Sequence, residues 1–261
     1  LLLINDCIKI FYIAIRQKTK CSFQFTLKSH SYMTNEETMK HTKRIAFYGA
    51  SVDPIHEAHI QIIEYLLTCG EYDIVYFVPC GKRADKIAQS NDQDRIMMIT
   101  LALCVELFLK ETRLVVSYDD IFMGRNTPTL DRIKSLEKKF TSDGNIAQVS
   151  WIIGADIIVP KKKYNGKNDI EAFWDEGELF STWGYQSVVI SRQGVKECSI
   201  ASLQQLIKTK GWNTKVAPII VPEVSSSKIR QEMKKPFPVL KHVSATVTQY
   251  MLTQRLYAEC V

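Results

Sequence analysis

Short apolar runs alternate with longer amphipathic segments over most of this chain, and no other feature constrains its fold as strongly. From Arg44 onward, the short runs have the length and apolar content of buried strands, and the segments between them carry apolar residues at helical spacing. This order is typical of β-α-β units, in which right-handed crossovers build a parallel sheet with helices on both faces. The pattern therefore predicts an α/β fold with an open, doubly wound parallel sheet. Ligands of such sheets bind beyond the carboxyl ends of the strands.

The predicted strands and helices follow one another without an internal repeat. The strands are Ile45–Tyr48, Ile74–Val78, Arg113–Ser117, Ala147–Ile153, Gln186–Ile190 and Val216–Val221. The helices are Ile55–Thr68, Gln93–Lys110, Thr129–Phe140, Ile200–Lys208, Ser226–Met233 and Ser244–Ala258. We expect residues 42–261 to form a single domain. Residues 1–41 form an N-terminal extension that we expect to be a leader or a poorly ordered segment.

Charge and cysteine usage limit the partners and the compartment. The chain has 34 Lys and Arg against 28 Asp and Glu, and the extension contributes half of the resulting charge of +6, since six basic and three acidic residues give +3. The remainder is only mildly basic, which suits small anions at least as well as nucleic acid. It also lacks the repeated aromatic and basic residues that follow a nucleic-acid strand. Seven cysteines without a C-x-x-C pair indicate a reducing compartment.

The extension differs in composition from the rest of the chain. Its apolar stretch is interrupted by polar residues and is shorter than the roughly 20 residues that a membrane span requires. A secretory signal would carry its charges before the apolar stretch and not after it. We therefore expect a cytoplasmic protein without membrane contact. An organelle-targeting role of the extension and a homo-oligomeric state both stay open.

The turn after the first predicted strand has the most specific pattern of the chain, Gly-Ala-Ser-Val-Asp-Pro-Ile-His-Glu-Ala-His over residues 49–59. Asp53 is a good helix N-cap, and Pro54 suits the first helical position. His56 and His59 should then share one face of the helix near its positive end. Two imidazoles beside a triphosphate can donate hydrogen bonds to phosphoryl oxygens, where charge spreads during in-line displacement. The turn therefore predicts a site for phosphoryl or nucleotidyl transfer.

The small residues Gly49, Ala50 and Ser51 would let the backbone approach a phosphate closely at this turn. Two other interpretations of the histidines are exposed surface residues and a metal site. The spacing is not that of the H-E-x-x-H zinc motif, and the sequence offers no evident third His or Cys ligand. The concurrence of strand, small residues, proline and paired histidines favours the nucleotide site.

A second phosphate signal, Val-Ser-Ser-Ser-Lys-Ile-Arg over residues 224–230, follows the last predicted strand. Serines at a helix start cap free N–H groups and can also bind phosphate, and Arg230 lies on the first turns. Taken alone, this segment is more typical of a plain serine cap with a solvated arginine. Together with the segment that carries His56 and His59, however, it indicates a phosphate site more strongly.

These two segments resemble the motifs of a known family, the bacterial nicotinate-mononucleotide adenylyltransferases. The first is similar to G-G-[ST]-F-D-P-[IV]-H-x-G-H, with Ala50, Val52 and Ala58 in place of Gly, Phe and Gly, and the second is similar to I-S-S-T-x-I-R. The resemblance covers about Lys43 to Tyr250. It implies the Rossmann-like fold of the nucleotidyltransferase superfamily and the transfer of an adenylyl group from ATP to a mononucleotide, with release of pyrophosphate.

The resemblance also implies the site residues. His56, His59 and Arg230 would act on the transferring phosphoryl group. The ATP-binding residues would be Gly49, Ala50, Ser51, Lys86, Gly154, Asp156, Ser226 and Ser227, and the acceptor-binding residues would be Thr129, Trp174 and Arg192. Mg²⁺ would be held mainly by the ATP phosphates and water, so no protein ligand is named.

Three questions stay open at the level of the sequence. The acceptor could be nicotinate mononucleotide, nicotinamide mononucleotide or another phosphorylated metabolite such as phosphopantetheine, because the segment Thr127–Leu130 only partly matches Y-T-x-D-T-L. Ala50 and Ala58 could weaken the use of ATP, since the family has glycine at both positions. Because Ala50, Val52 and Ala58 depart from the family motif, a nucleotide-binding regulatory protein without turnover is the alternative from another functional class.

Overall fold

The computed structural model describes residues 42–82, 88–104, 111–141, 146–174, 177–194 and 199–258. The N-terminal extension and Lys86 lie outside the described residues, so the predictions made for them stay predictions.

The described residues form one six-stranded sheet in the order β3-β2-β1-β4-β5-β6. Its strands are β1 (Thr42–Ala50), β2 (Ile74–Pro79), β3 (Leu114–Val116), β4 (Ile146–Gly154), β5 (Gln186–Arg192) and β6 (Thr214–Val221). Each neighbouring pair is parallel. The predicted doubly wound parallel sheet is therefore confirmed, and each predicted strand matches an observed one.

Helices cover both faces of the sheet. In chain order they are α1 (Glu57–Thr68), α2 (Asp92–Leu103), α3 (Asp119–Phe122), α4 (Thr129–Phe140), α5 (Ala155–Ile158), α6 (Asp169–Phe173), α7 (Ile200–Lys210), α8 (Ser226–Met233) and α9 (Ala245–Thr253). Short 3₁₀ turns add Lys162–Tyr164 and Gly177–Thr182. Helices α4 and α8 have the predicted bounds, whereas the short helices α3, α5 and α6 have too few residues to show helical periodicity.

The alternation of side chains along β1 explains the two cores. Ala46 and Tyr48 face a core built with α1, α2, α8 and α9. Ile45 and Phe47 face a second core built with α4, α5, α6 and α7. Successive side chains of a strand point to opposite faces, so a strand buried on both sides reads as the continuous apolar run seen in the sequence.

Several predicted helix bounds were wrong, among them the end of α7, which is Lys210 and not Lys208. The last helix ends at Thr253 and not at Ala258, because Arg255 and Tyr257 adopt positive φ angles of 51° and 62° and turn the chain back. The first helix begins at Glu57 and not at Ile55. The long helix expected over Gln93–Lys110 is confirmed for Asp92–Leu103, and residues 105–110 lie outside the described residues.

The topology places the crevice of the molecule. From β1 the chain winds outward to β2 and β3, and it then crosses back to β4 on the other side of β1. Such a reversal opens a crevice beyond the carboxyl ends of the two central strands. The histidine turn (residues 51–59) follows β1 and therefore lies at this point. No helix in the described part of the chain is long and apolar enough to cross a membrane.

Candidate active site

The histidine turn enters α1 differently from the sequence prediction. The N-cap residue is His56, with φ −148° and ψ 171°, and neither Asp53 nor Pro54 is part of the helix. The peptide bond between Asp53 and Pro54 is cis. The prediction that Asp53 caps the helix and Pro54 occupies its first position was therefore wrong, because Asp53 is bound by partners from distant parts of the chain.

The two histidines form a stacked pair at the N-terminus of α1. Their ring centroids are 3.7 Å apart and their planes differ by 25°. The backbone N–H of His56 donates a hydrogen bond of 3.2 Å to Nδ1 of His59. Because Nδ1 of His59 is an acceptor, the proton of the neutral ring is on Nε2, and that N–H is the donor this ring can offer to a phosphate.

Asp53 is a buried hub of the histidine turn, with an exposed fraction of 4%. The backbone N–H of Gln89 donates a hydrogen bond of 2.7 Å to its carboxylate, and the hydroxyls of Ser90 and Tyr257 donate bonds of 2.5 Å and 2.6 Å. These partners come from the segment before α2 and from the residues after α9. Asp53 thus joins the histidine turn to two segments that are distant in sequence.

Two buried arginines hold the backbone of the same turn. Arg95, at the start of α2, donates to the carbonyl oxygens of Ser51 at 2.8 Å and Cys80 at 2.6 Å. Arg230, on α8, donates to the carbonyl oxygen of Asp53 at 2.5 Å. With exposed fractions of 1% for Arg95 and 8% for Arg230, both guanidinium groups are part of the protein interior. The turn is therefore preorganised by side chains that lie far from it in sequence.

The serine segment packs directly on the histidine turn. Ser225 is the N-cap of α8, and its hydroxyl accepts from the backbone N–H of Lys228 at 3.2 Å. The hydroxyl of Ser226 is buried and donates a bond of 2.9 Å to the carbonyl oxygen of Pro54. Ser227 is exposed, and its hydroxyl accepts from Nη2 of Arg230 at 3.2 Å. The N-termini of α1 and α8 thus meet at one place, where free backbone N–H groups favour anions.

A second cluster of polar residues lies at the carboxyl ends of β4 and β5. Nη2 of Arg192 lies 3.7 Å from Oδ1 of Asp156, and a Cβ at Gly154 would come within 2.6 Å of the same oxygen. Burial raises the pKa of the Tyr48 hydroxyl on β1 well above its usual value of 10.0, and Arg192 and Asp156 are close enough to act on it in opposite directions. These contacts place Gly154, Asp156 and Arg192 beside the central strand that carries the histidine turn.

Two of the small residues, Gly49 and Ala50, lie at the end of β1, just before the histidine turn. Gly49 lies within β1, and a Cβ there would make only ordinary contacts with Phe47 and Val78. The neighbouring residues would therefore not clash with a small side chain at position 49. The carbonyl oxygen of Ala50 accepts from the backbone N–H of Cys80 at 2.8 Å, so the backbones after β1 and β2 remain joined beyond the sheet.

The acceptor residues predicted from the sequence fall into separate places. Thr129 is the first residue of α4. Trp174 packs on Trp151 of β4, with ring centroids 5.1 Å apart, in the core on the opposite face of the sheet from α1. The roles of Thr129 and Trp174 as acceptor-binding residues therefore stay predictions.

Sequence reasoning missed a buried ion pair that organises the segment before α4. Oδ1 of Asp120 accepts from Arg132 at 2.5 Å and from the Thr127 hydroxyl at 2.6 Å. A Cβ at Gly81 would lie 2.2 Å from the carbonyl oxygen of Asp120, so the residues after β2 and β3 touch through their backbones. The only signal in the sequence was an arginine on the apolar side of a predicted helix, after a pair of aspartates.

A contact on the outer side of α1 fixes its first residue. Oε2 of Glu57 lies 2.7 Å from Nδ1 of His242, and the Glu57 backbone N–H donates to the carbonyl oxygen of His242 at 2.8 Å. A cavity of about 200 Å³ lies beside this pair and is also lined by His56 and Lys241. The segment before α9 therefore supports the histidine turn from outside.

Comparisons with known proteins agree with this geometry. The family described as cytidylyltransferase-like matches residues 47–232. A probable nicotinate-nucleotide adenylyltransferase of Leifsonia xyli is 27% identical over 222 residues, which are 85% of this chain and 98% of that protein. A protein of the same description from Borreliella burgdorferi is 28% identical over 223 residues, which are 84% of this chain and 98% of that protein.

A solved structure has the same fold. The nicotinic acid mononucleotide adenylyltransferase of Plasmodium falciparum, complexed with NaAD, matches with a TM-score of 0.64 and 22% identity, over 82% of this chain and 97% of that chain. The same enzyme complexed with APC matches with a TM-score of 0.61 and 21% identity, over 82% of this chain and 97% of that chain. At these identities the likeness concerns the fold.

Proposed function

This chain belongs to the cytidylyltransferase-like family, and we propose that it transfers the adenylyl group of ATP to nicotinate mononucleotide in NAD biosynthesis. The product would be the corresponding dinucleotide, and pyrophosphate would leave. The names of the relatives in Leifsonia and Borreliella support this acceptor. The resemblance of the two phosphate motifs supports the reaction.

One observation carries the proposal. The histidine turn and the serine segment are about two thirds of the chain apart in sequence, yet Ser226 bonds to Pro54 and Arg230 bonds to Asp53. Each segment alone had a plain structural interpretation. The contact between the two segments brings the N-termini of α1 and α8 near the pair of imidazoles, and this supports the binding of a polyphosphate here.

The chemistry follows from these groups. A phosphate oxygen of the acceptor attacks the α-phosphorus of ATP and forms the new P–O bond, while the bond between the α-phosphorus and the bridging oxygen to the β-phosphorus breaks. The electron pair leaves with pyrophosphate. His59, through its Nε2–H, and His56 would stabilise the charge that spreads over the oxygens in the transition state. Catalysis would rest on positioning and electrostatics, without a covalent enzyme intermediate.

The remaining residues complete the proposed binding of ATP. The backbone N–H groups of Ser226 and Ser227, at the start of α8, would hold the triphosphate. Arg230 would act mainly by holding Asp53, because its guanidinium is bound to the turn. Gly154 and Asp156 would border the ribose and adenine, where the absent Cβ of Gly154 keeps the space around the carboxylate open. Arg192, beside Asp156, would bind the acceptor.

Mg²⁺ is part of this proposal. The described residues contain no group of three His, Cys, Asp or Glu side chains that could hold a metal ion. The ion would be held mainly by the ATP phosphates and water, because Mg²⁺ keeps several of its waters. The ion would neutralise charge on the leaving pyrophosphate. We also propose a cytoplasmic location, on the basis of the cysteine usage.

The alanine at position 58 does not stand against ATP binding. Ala58 has an exposed fraction of 3% and belongs to the core between α1 and the sheet. Its methyl group therefore packs into the protein. This placement weakens the part of the regulatory alternative that relied on Ala58 as an obstacle to the adenine ring.

Release of pyrophosphate from Mg-ATP tests the proposal, with nicotinate mononucleotide, nicotinamide mononucleotide and phosphopantetheine supplied separately. We expect turnover with the first. Turnover only with phosphopantetheine would refute the acceptor but keep the reaction, and ATP binding without pyrophosphate release from any of the three would favour the regulatory alternative.

The same assay tests the histidines. His59→Ala should lower kcat by roughly a hundredfold, because it removes a donor that acts in the transition state. The dissociation constant of ATP should change far less. Thr68→Ala is the control, since this exposed threonine lies at the opposite end of α1. Equal kcat in His59→Ala and in the wild type would refute the mechanism.

A further inference from the structure

The residues after α9 fold back onto the histidine turn. Beyond Thr253 the chain reverses at Arg255, and the backbone N–H of Leu256 donates to the carbonyl oxygen of Met251 at 2.9 Å. Leu256 and Tyr257 then pack against the core that α1 and α2 share. The end of the described chain is therefore part of the structure around the site.

The hydroxyl of Tyr257 is directed at a charged partner. It donates a hydrogen bond of 2.6 Å to Oδ1 of Asp53, the oxygen that also accepts from Ser90. Burial and the adjacent Asp53 carboxylate raise the pKa of Tyr257 far above its usual value of 10.0. The hydroxyl therefore keeps its proton, and with it the bond to Asp53, over the whole neutral pH range.

We infer that Tyr257 is a positioning residue for adenylyl transfer, acting through Asp53 on the orientation of the histidine pair. Asp53 lies three residues before His56, and its carbonyl oxygen is held by Arg230. Because these bonds restrain Asp53, the loss of one of them would let the residues between Asp53 and α1 shift. The inference rests on the proposed function, since the orientation matters for turnover.

The expected sensitivity has a physical reason. Catalysis by positioning depends on distances to the reacting atoms, and a displacement of about 1 Å can lower a rate a hundredfold. In Tyr257→Phe, Asp53 keeps its bonds from Gln89 and Ser90, so the turn stays folded. The carboxylate loses one of three donors and gains freedom to rotate. We therefore expect a smaller effect, a decrease of kcat of about tenfold.

Tyr250→Phe is a matched control. The Tyr250 hydroxyl donates a bond of 2.6 Å to Oδ1 of Asp94, so this variant also removes one tyrosine–aspartate hydrogen bond. Tyr250 lies on α9 and its partner lies on α2, away from the histidine turn. The two variants should therefore show similar decreases in Tm and differ in every property that depends on the histidines.

The experiment compares the two variants with the wild type by three measurements: Tm, kcat and KM for ATP, and proton–nitrogen correlation spectra of the histidine rings without substrate. We expect Tyr257→Phe to lower kcat about tenfold relative to Tyr250→Phe, with KM for ATP changed by less than about twofold. The ring signals of His56 and His59 should shift in Tyr257→Phe alone.

Two results would overturn the inference: equal kcat in the two variants, or ring signals of His56 and His59 that are unchanged by Tyr257→Phe. The spectra need no substrate. If the wild type releases no pyrophosphate with any acceptor, the proposed function fails, and the spectra alone then decide whether Tyr257 positions the histidines.

Discussion

Replacing Arg230 with methionine should destabilise this protein even when no nucleotide is present. Nη1 of Arg230 donates to the carbonyl oxygen of Asp53 at 2.5 Å and lies 3.9 Å from its carboxylate, and the two side chains are only 10% and 6% exposed. Removing one partner of a buried pair costs about 3–5 kcal/mol. Because Asp53 keeps three other donors, we expect the lower end, about 3 kcal/mol. Methionine retains the apolar stem, so the loss reports on the guanidinium.

The assay is thermal unfolding followed by circular dichroism, with no nucleotide present. For a domain of this size, about 3 kcal/mol corresponds to a decrease in Tm of about 6–12 °C. Lys228→Met is the control on the same helix. Lys228 pairs with Glu223 at 2.7 Å, but both side chains are at least half exposed, and such pairs contribute about 0–1 kcal/mol. We expect its Tm to change by about 4 °C or less.

Equal Tm values for Arg230→Met and Lys228→Met would refute this reasoning. Arg230 would then not hold Asp53 in solution, and its role would be limited to binding a ligand, as the sequence motif alone implies. A large decrease in Tm that occurs only for Arg230→Met would establish that this arginine preorganises the histidine turn before ATP arrives.

Two further predictions concern buried groups elsewhere. Asp120→Ala should lower the free energy of unfolding by about 3 kcal/mol in urea denaturation, because Arg132 keeps a buried charge without its main partner; the exposed Asp131→Ala is the control, and a loss below about 1 kcal/mol would contradict the buried pair. Burial raises the pKa of Tyr48 and Tyr118 above the usual 10.0. The folded state then binds their protons more tightly than the unfolded state, so this stability is fully present below pH 10 and is lost as the pH rises above it. Absorbance at high pH should show that these tyrosines ionise only as the protein unfolds; their ionisation near pH 10 in the folded protein would contradict this.

The sequence predicted the sheet well because the information was local. Strands buried on both faces appear as short apolar runs, and β-α-β connectivity follows from their alternation with amphipathic segments. The bounds of α4 and α8 were predicted to the residue, since Pro128 and the serines before Lys228 mark their starts. The histidine turn was located at the correct strand end for the same reason.

The role of Asp53 could not be predicted from local rules. An aspartate before a proline is a good helix cap, but this carboxylate binds Ser90 and Tyr257, which lie 37 and 204 residues away. These tertiary bonds replaced the local preference and moved the start of α1 to Glu57. The buried pair of Asp120 and Arg132 was missed for a similar reason, because its partners meet only in the folded chain.

Local motifs were also insufficient for the acceptor side. Only the order of residues along the chain predicts an acceptor role for Trp174, and this side chain packs on Trp151 in a group of aromatic rings. Thr129 begins a helix, as its position after a proline indicates, but its contact with a substrate depends on how that substrate lies. The arrangement of the phosphate-binding groups was easier to predict, because helix N-termini and histidines bind phosphate through general electrostatics.

The most direct test of the central claim follows the phosphates of ATP. The protein is incubated with Mg²⁺, nicotinate mononucleotide and ATP labelled either at the α-phosphate or at the γ-phosphate. Adenylyl transfer predicts that the α label appears in the dinucleotide and that the γ label appears only in pyrophosphate. Transfer of the γ label to the acceptor, or hydrolysis of ATP without any labelled dinucleotide, would contradict it.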